Sequence, residues 1–280
     1  MNIDRIVLTT FAGYYFTQIL CLRSIQQYAA GFPIDIIIDD FDIQHWPTYP
    51  KDCEQYVREN FPDLDIRFYR FSEFPGMERV ETGGWFRQQL VKLYLDRFVA
   101  GNRWLLVDAD VVFREPPDLD IISAVVRHEF DPIGAGNRLY VEKMLACTKP
   151  WVGNQQQYWC LSGVPFRLIQ RDLLESLRAK IFEVNNKDLF DLHVDMFQQQ
   201  SLVAFDREGK KMIMSEFQLI EIFRNQYYHS PLPIIKQGAS DHEHSSIKDW
   251  NFDRQYFVDQ AVSISNRDWE LSQTFGANHA

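Results

Sequence analysis

The chain has 280 residues, 46% hydrophobic and 15% aromatic, with a formal net charge of −10 and a pI near 5.2. That apolar content excludes a disordered chain, and the acidic balance argues against a general nucleic-acid binder, which carries a basic stripe for phosphates. No window is long and apolar enough for a membrane span, and Met1 to Thr10 lacks the basic-then-apolar pattern of a secretory leader, so a cytoplasmic chain with at most peripheral membrane contact is expected. Cys21, Cys53, Cys147 and Cys160 stand singly, without the spacing of a zinc site or the density of a disulfide framework.

In chain order, the pattern predicts a strand at Arg5 to Thr10, a helix at Phe16 to Tyr28 with Ile19, Leu20, Leu22 and Ile25 at helical spacing, and a strand at Ile34 to Ile38. A helix at Asp52 to Asn60, a strand at Leu64 to Phe71 and a helix at Gly84 to Val99 follow. Strands alternating with helices at this spacing predict an α/β fold with a mostly parallel sheet flanked by helices, whose ligands lie beyond the carboxyl ends of the strands. The second half is less regular: a short strand at Leu161 to Phe166, helices at Leu168 to Phe182 and Ser215 to Asn225, and no strong periodicity from Ser230 to Ala280. Ser215 with Gln218 three residues on reads as a capping box. Nothing resembles a linker, so a single domain over 1–280 is expected.

The stretch Trp104 to Phe113 is apolar except for Asp108 and Asp110. In an extended strand, residues i and i+2 share a face, so the two carboxylates would project side by side. Adjacent like charges repel, whereas a divalent cation between them removes the repulsion and leaves open positions for a diphosphate. The pair reads as a metal site for a phosphorylated ligand, against the plainer reading of two solvated aspartates at a strand end.

With Gln89 and Lys92 on the preceding helix and Ser162-Gly163-Val164 further on, these residues resemble the GT-A glycosyltransferases, nearest to the glycogenin and lipo-oligosaccharide galactosyltransferase type and to uncharacterised bacterial relatives. The likeness spans roughly the first 165 residues, with the Asp-x-Asp strand as its most specific part. It implies a GT-A-like (Rossmann-like) fold, with 1–117 as the nucleotide-sugar-binding half and 118–280 as an irregular acceptor-side half. It also implies a hexosyltransferase moving sugar from a nucleotide sugar, a UDP-sugar foremost, to a glycan or lipid-linked hydroxyl acceptor in bacterial surface polysaccharide synthesis. The implied cofactor is Mn²⁺ or Mg²⁺.

On the resemblance, Asp108 and Asp110 are metal and ribose contacts, Thr9-Thr10-Phe11 holds the nucleotide base and ribose, and Gln89 and Lys92 face the donor. Arg87 is the alternative to Lys92, whose plainer reading is a solvated charge on an amphipathic helix. A third metal ligand is expected from His242, with His244 and His229 also available. The family's His, Lys and Trp offsets recur at His242, Lys248 and Trp250, but Ser245 and Asp249 replace its glycine and proline. Ser162 and Gly163 fall on the acceptor side. Glu216 occupies the place of the acceptor's general base in inverting enzymes, although an acidic residue in a first helical turn also complements the helix dipole. In a retaining enzyme attention passes to Asp195. Trp85, Trp151, Trp159 and Trp250 are candidate sugar platforms, most tryptophans being core.

Three rivals differ in their signals. Asp-x-Asp is also the first motif of haloacid-dehalogenase phosphatases, but there it opens the first strand, whereas here three strands precede it. A sugar-nucleotide pyrophosphorylase would carry a glycine-rich basic loop where Thr9 to Tyr15 offers only Gly13. A non-catalytic carbohydrate-binding protein on the same fold would hydrolyse no nucleotide sugar.

Overall fold

A computed structural model describes residues 3–41, 46–80, 84–109, 111, 113, 125–127, 148–153, 166–199, 204–205, 211–212, 216–227 and 234–236. In chain order the strands and helices are β1 (Arg5–Thr10), α1 (Tyr15–Tyr28), β2 (Ile34–Ile38), α2 (Tyr49–Asn60), β3 (Ile66–Arg70), α3 (Gly84–Lys92), β4 (Arg103–Asp108), β5 (Val125–Arg127), β6 (Phe166–Gln170), α4 (Arg171–Asn185), α5 (Leu189–Gln199), β7 (Ala204–Phe205), β8 (Lys211–Met212), α6 (Glu216–Gln226) and β9 (Ile234–Lys236). The main sheet has five strands in the order β3-β2-β1-β4-β6. Its first four are parallel and β6 runs antiparallel to β4. The mostly parallel α/β sheet expected from the sequence is therefore the fold.

β1 and β2 are buried along their whole length, as strands covered on both faces must be. Alternation along each strand sends side chains to two separate cores. Ile6, Leu8, Ile34, Ile36, Leu105, Val107 and Leu168 pack with α1 and α2 through Leu22, Ile25, Cys53 and Val57. Val7, Ile37, Trp104, Leu106 and Ile169 pack with α3 to α6 through Leu90, Leu174, Phe190 and Phe223. The molecule is thus a helix–sheet–helix sandwich. Cys21 and Cys53 are buried thiols that form no disulfide among the described residues.

Several expected boundaries move. The strand expected to run from Trp104 to Phe113 ends at Asp108, whose carbonyl accepts the Val111 amide at 3.0 Å and turns the chain. The extended i, i+2 geometry therefore stops at the first aspartate. The helix expected to reach Val99 ends at Lys92 and gives way to a 3-10 turn at Leu95–Arg97. Tertiary contacts impose that break: Arg178 donates to the Leu93 carbonyl at 2.7 Å and, with both terminal nitrogens, to the fully buried Asp96. Leu168 to Gln170 are strand rather than helix, because Leu168 and Ile169 sit opposite Leu105 and Trp104 on β4. α2 begins at Tyr49 with Pro50 in its first turn, where the missing amide costs nothing. α5, and the short pairings β5·β9 and β7·β8, lie in the half with little periodicity. Ser215 of the capping box lies outside the described residues.

Candidate functional site

In a doubly wound sheet the strand order reverses at one place, leaving a crevice beyond the carboxyl ends of two neighbouring strands. Here that place lies between β1 and β4. Thr9 and Asp108 are register partners there, so the two segments singled out in the sequence stand side by side.

Asp108 is the last residue of β4, with a side chain 26% exposed. Its Oδ1 accepts from Lys92 Nζ at 2.9 Å, and Nζ also donates to Glu216 Oε1 at 2.9 Å. Lys92 ends α3 and Glu216 starts α6, so residues distant in sequence meet at one ammonium. The Lys92 side chain is 3% exposed and that of Glu216 7%. Burial by itself would pull the Lys92 pKa down, but the charges of Asp108 and Glu216 and their hydrogen bonds outweigh it and raise it. The ammonium also lies 4.5 Å from the Phe217 ring centroid, and the Arg167 guanidinium 4.9 Å from the same ring. Burial lowers the Arg167 pKa, with Glu221, Asp108 and Glu216 opposing and Arg224 assisting. Glu221 and Arg224, one turn apart on α6, form an ion pair at 3.2 Å. Lys92, Arg167 and Arg224 thus balance Asp108, Glu216 and Glu221 in one buried cluster.

Beside the crevice a cavity of about 170 Å³ opens among Thr10, Phe11, Tyr14, Asp39, Gly84 and Gln88. The Thr10 hydroxyl donates to Gln18 Oε1 at 3.0 Å behind the wall, while Gln88 Nε2 donates to the Thr9 hydroxyl at 2.5 Å. Asp39, just beyond β2, accepts from Arg87 NH2 at 3.0 Å and from the Phe41 amide at 3.0 Å. Burial raises the Asp39 pKa against the opposing pull of Arg87. A Cβ on Gly84 would come within 2.8 Å of Asp39 Oδ2, so a side chain there would have to push the Arg87-bound carboxylate aside.

The expected residues divide accordingly. Thr9, Thr10, Phe11, Lys92, Asp108 and Glu216 gather at the carboxyl edge of the sheet. Gln89 is buried, and its amide has no hydrogen-bond partner among the described residues. Arg87 is committed to Asp39, and Asp195 on α5 is ion-paired with Lys187. Trp151 is core rather than platform. Asp110, Ser162, Gly163, His229, His242, His244, Trp159 and Trp250, and the side chain of Trp85, lie outside the described residues. Among the described residues no group of three or more His, Cys, Asp or Glu could hold a metal. Asp108 fits such an ion in part: its carboxylate is a hard oxygen donor, partly exposed, and Oδ2 accepts no hydrogen bond from a described residue. Sequence reasoning missed Asp39, Gln88, Tyr14 and Gly84. The signal for Asp39 was available, since it follows the apolar run Ile36 to Ile38 as Asp108 follows Leu105 to Val107.

A family of unknown function (DUF6492) matches residues 15–130, less than half of the chain. No curated protein matches. The apo-form glycosyltransferase GlyE of Streptococcus pneumoniae TIGR4 superposes with a TM-score of 0.39 at 11% identity, over 84% of this chain and 45% of that one. The chain therefore spans less than half the length of that protein, and a likeness of that size carries no argument about activity. No helix among the described residues is long and apolar enough to cross a membrane.

Proposed function

We propose that the protein is a GT-A-type glycosyltransferase that moves a sugar from a nucleotide-diphosphate sugar, a UDP-sugar foremost, to a glycan or lipid-linked hydroxyl. One observation carries this reading: at the switch point, Thr9 and Asp108 stand in register, with an aromatic-walled cavity on one side and a charged cluster on the other. A nucleoside suits the cavity, where Phe11 and Tyr14 offer ring faces and Gln88 offers polar atoms. A diphosphate suits the neighbouring charged edge, where Lys92 and a cation on Asp108, completed by Asp110 and His242, would meet it. Bound there, Mn²⁺ or Mg²⁺ would neutralise charge growing on the leaving diphosphate. The phosphatase reading fits less well, because β1 ends in Thr9 and Thr10 rather than in a nucleophilic aspartate.

Glu216 has two possible roles. As the acceptor's general base it would have to leave Lys92, which already donates to Oε1, whereas as counter-charge to Lys92 it is in place. Its low exposure favours the second role. Ser162 and Gly163 remain proposed for the acceptor side.

A thermal-shift series with nucleotides and nucleotide sugars, with and without Mn²⁺, tests the reading. A ligand at a hundred times its dissociation constant adds about 2.7 kcal/mol to folding stability. The expected result is stabilisation by one nucleotide diphosphate and its sugar, enhanced by Mn²⁺, and loss of the Mn²⁺ enhancement in Asp110→Asn. Indifference of the protein to every nucleotide would overturn it.

A further inference from the structure

Lys92 holds two carboxylates that differ in one respect. Both accept at 2.9 Å, but Asp108 belongs to the open edge of the sheet, with 26% of its side chain exposed, whereas Glu216 is 7% exposed on α6. The Phe217 ring, also on α6, lies 4.5 Å from the ammonium. If Asp108 were withdrawn, Lys92 would keep a carboxylate and a ring face, both from one helix. If Glu216 were withdrawn, it would keep only the partner at the open edge and the ring.

We propose that Lys92 is the resident counter-ion of Asp108 and yields that carboxylate to an incoming divalent cation, staying seated on Glu216 and Phe217. The inference rests on the reading of Asp108 as a cation ligand. Its physical basis is competition: an ammonium and a divalent cation on one carboxylate repel each other, which favours withdrawal of Nζ to its second carboxylate. Once Asp108 is given up, Lys92, Arg167 and Arg224 face only Glu216 and Glu221, so Glu216 is the one carboxylate left to hold the ammonium in place. Glu216 is then a positioning residue that never touches the cation yet sets how readily Asp108 is released.

The signs of the effects separate this from a purely structural role. Binding of Mn²⁺ alone, without nucleotide, is measured from the free-ion electron paramagnetic resonance signal. Lys92→Met removes the competitor and is expected to tighten Mn²⁺ binding about tenfold or more, with the gain lost when Asp108→Asn is added. Glu216→Gln weakens the inner seat, leaves Lys92 more firmly on Asp108, and is expected to weaken Mn²⁺ binding several-fold. Should Lys92→Met fail to fold, Glu216→Gln decides alone. Parental affinity in Glu216→Gln, or equal or weaker binding in a folded Lys92→Met, overturns the exchange while leaving nucleotide binding, and with it the proposed function, standing. Absence of Mn²⁺ binding in the parent and in every variant overturns it too, and the nucleotide series without metal then judges the function separately.

Discussion

Asp39 beyond β2 and Asp108 at the end of β4 are each met by a cation from α3, Arg87 in one case and Lys92 in the other. At Asp39 both oxygens are taken, by the Arg87 fork and the Phe41 amide, and the pair is buried on both sides. At Asp108 one oxygen is taken and the side chain is a quarter exposed. A saturated, buried pair holds loops together. A half-used carboxylate at the open edge can change partners. Both are aspartates at or just past the carboxyl end of a strand, so it is the unspent valence and the exposure that mark the site.

The largest expected effect comes from breaking the saturated pair. Arg87→Ala leaves a buried carboxylate without its cation and is expected to cost about 3–5 kcal/mol in urea unfolding. A loss under 1 kcal/mol would mean that the Asp39 clasp contributes little.

A buried group without a hydrogen-bond partner among the described residues sharpens the contrast. His193 on α5 is buried beside Phe86 and Trp151, and neither ring nitrogen has a hydrogen-bond partner among the described residues. Burial pushes its pKa down from 6.5 to about 4. The folded value lies below the unfolded one, so its contribution is fully present above pH 6.5 and drains away as pH falls towards 4. His193→Leu is expected to lose about 3 kcal/mol less stability than the parent over that window. Parallel pH–stability curves for the two proteins would refute the assignment.

The smallest effect is expected at the half-used pair. Asp108→Asn leaves Lys92 paired with Glu216 and removes only a partly exposed contact, so stability should change by about 1 kcal/mol or less. A cost as large as that of Arg87→Ala would make Asp108 a structural clasp like Asp39.

How far the sequence could be read follows from the same physics. The alternation from β1 to β4 was legible because each strand is an apolar run and each connecting helix carries its own period. Asp108 stood out because a charge interrupts an apolar run, whereas Lys92 and Thr9 to Phe11 were singled out only by the resemblance. The end of α3 at Lys92 was not, since Arg178 imposes it from α4, far along the chain. The strand nature of Leu168 to Gln170 was hidden for a similar reason: only β4 pairing distinguishes it from the first turn of α4. Lys92 and its two carboxylate partners belong to three separate elements, so the double pairing has no local signature.

The antiparallel seating of β6 carries a consequence for synthesis. β4 lies inside the sheet only because β6 covers its outer edge, and β6 begins at Phe166, well after β4 ends at Asp108. At ribosomal speeds of roughly 5–20 residues per second, the emerging chain carries the apolar segment Trp104 to Val107 for several seconds before its antiparallel partner exists. An uncovered apolar strand edge is a template for mispairing. Nascent chains stopped short of Phe166 should therefore engage chaperones and self-associate, and those extended past Gln170 should be released from both.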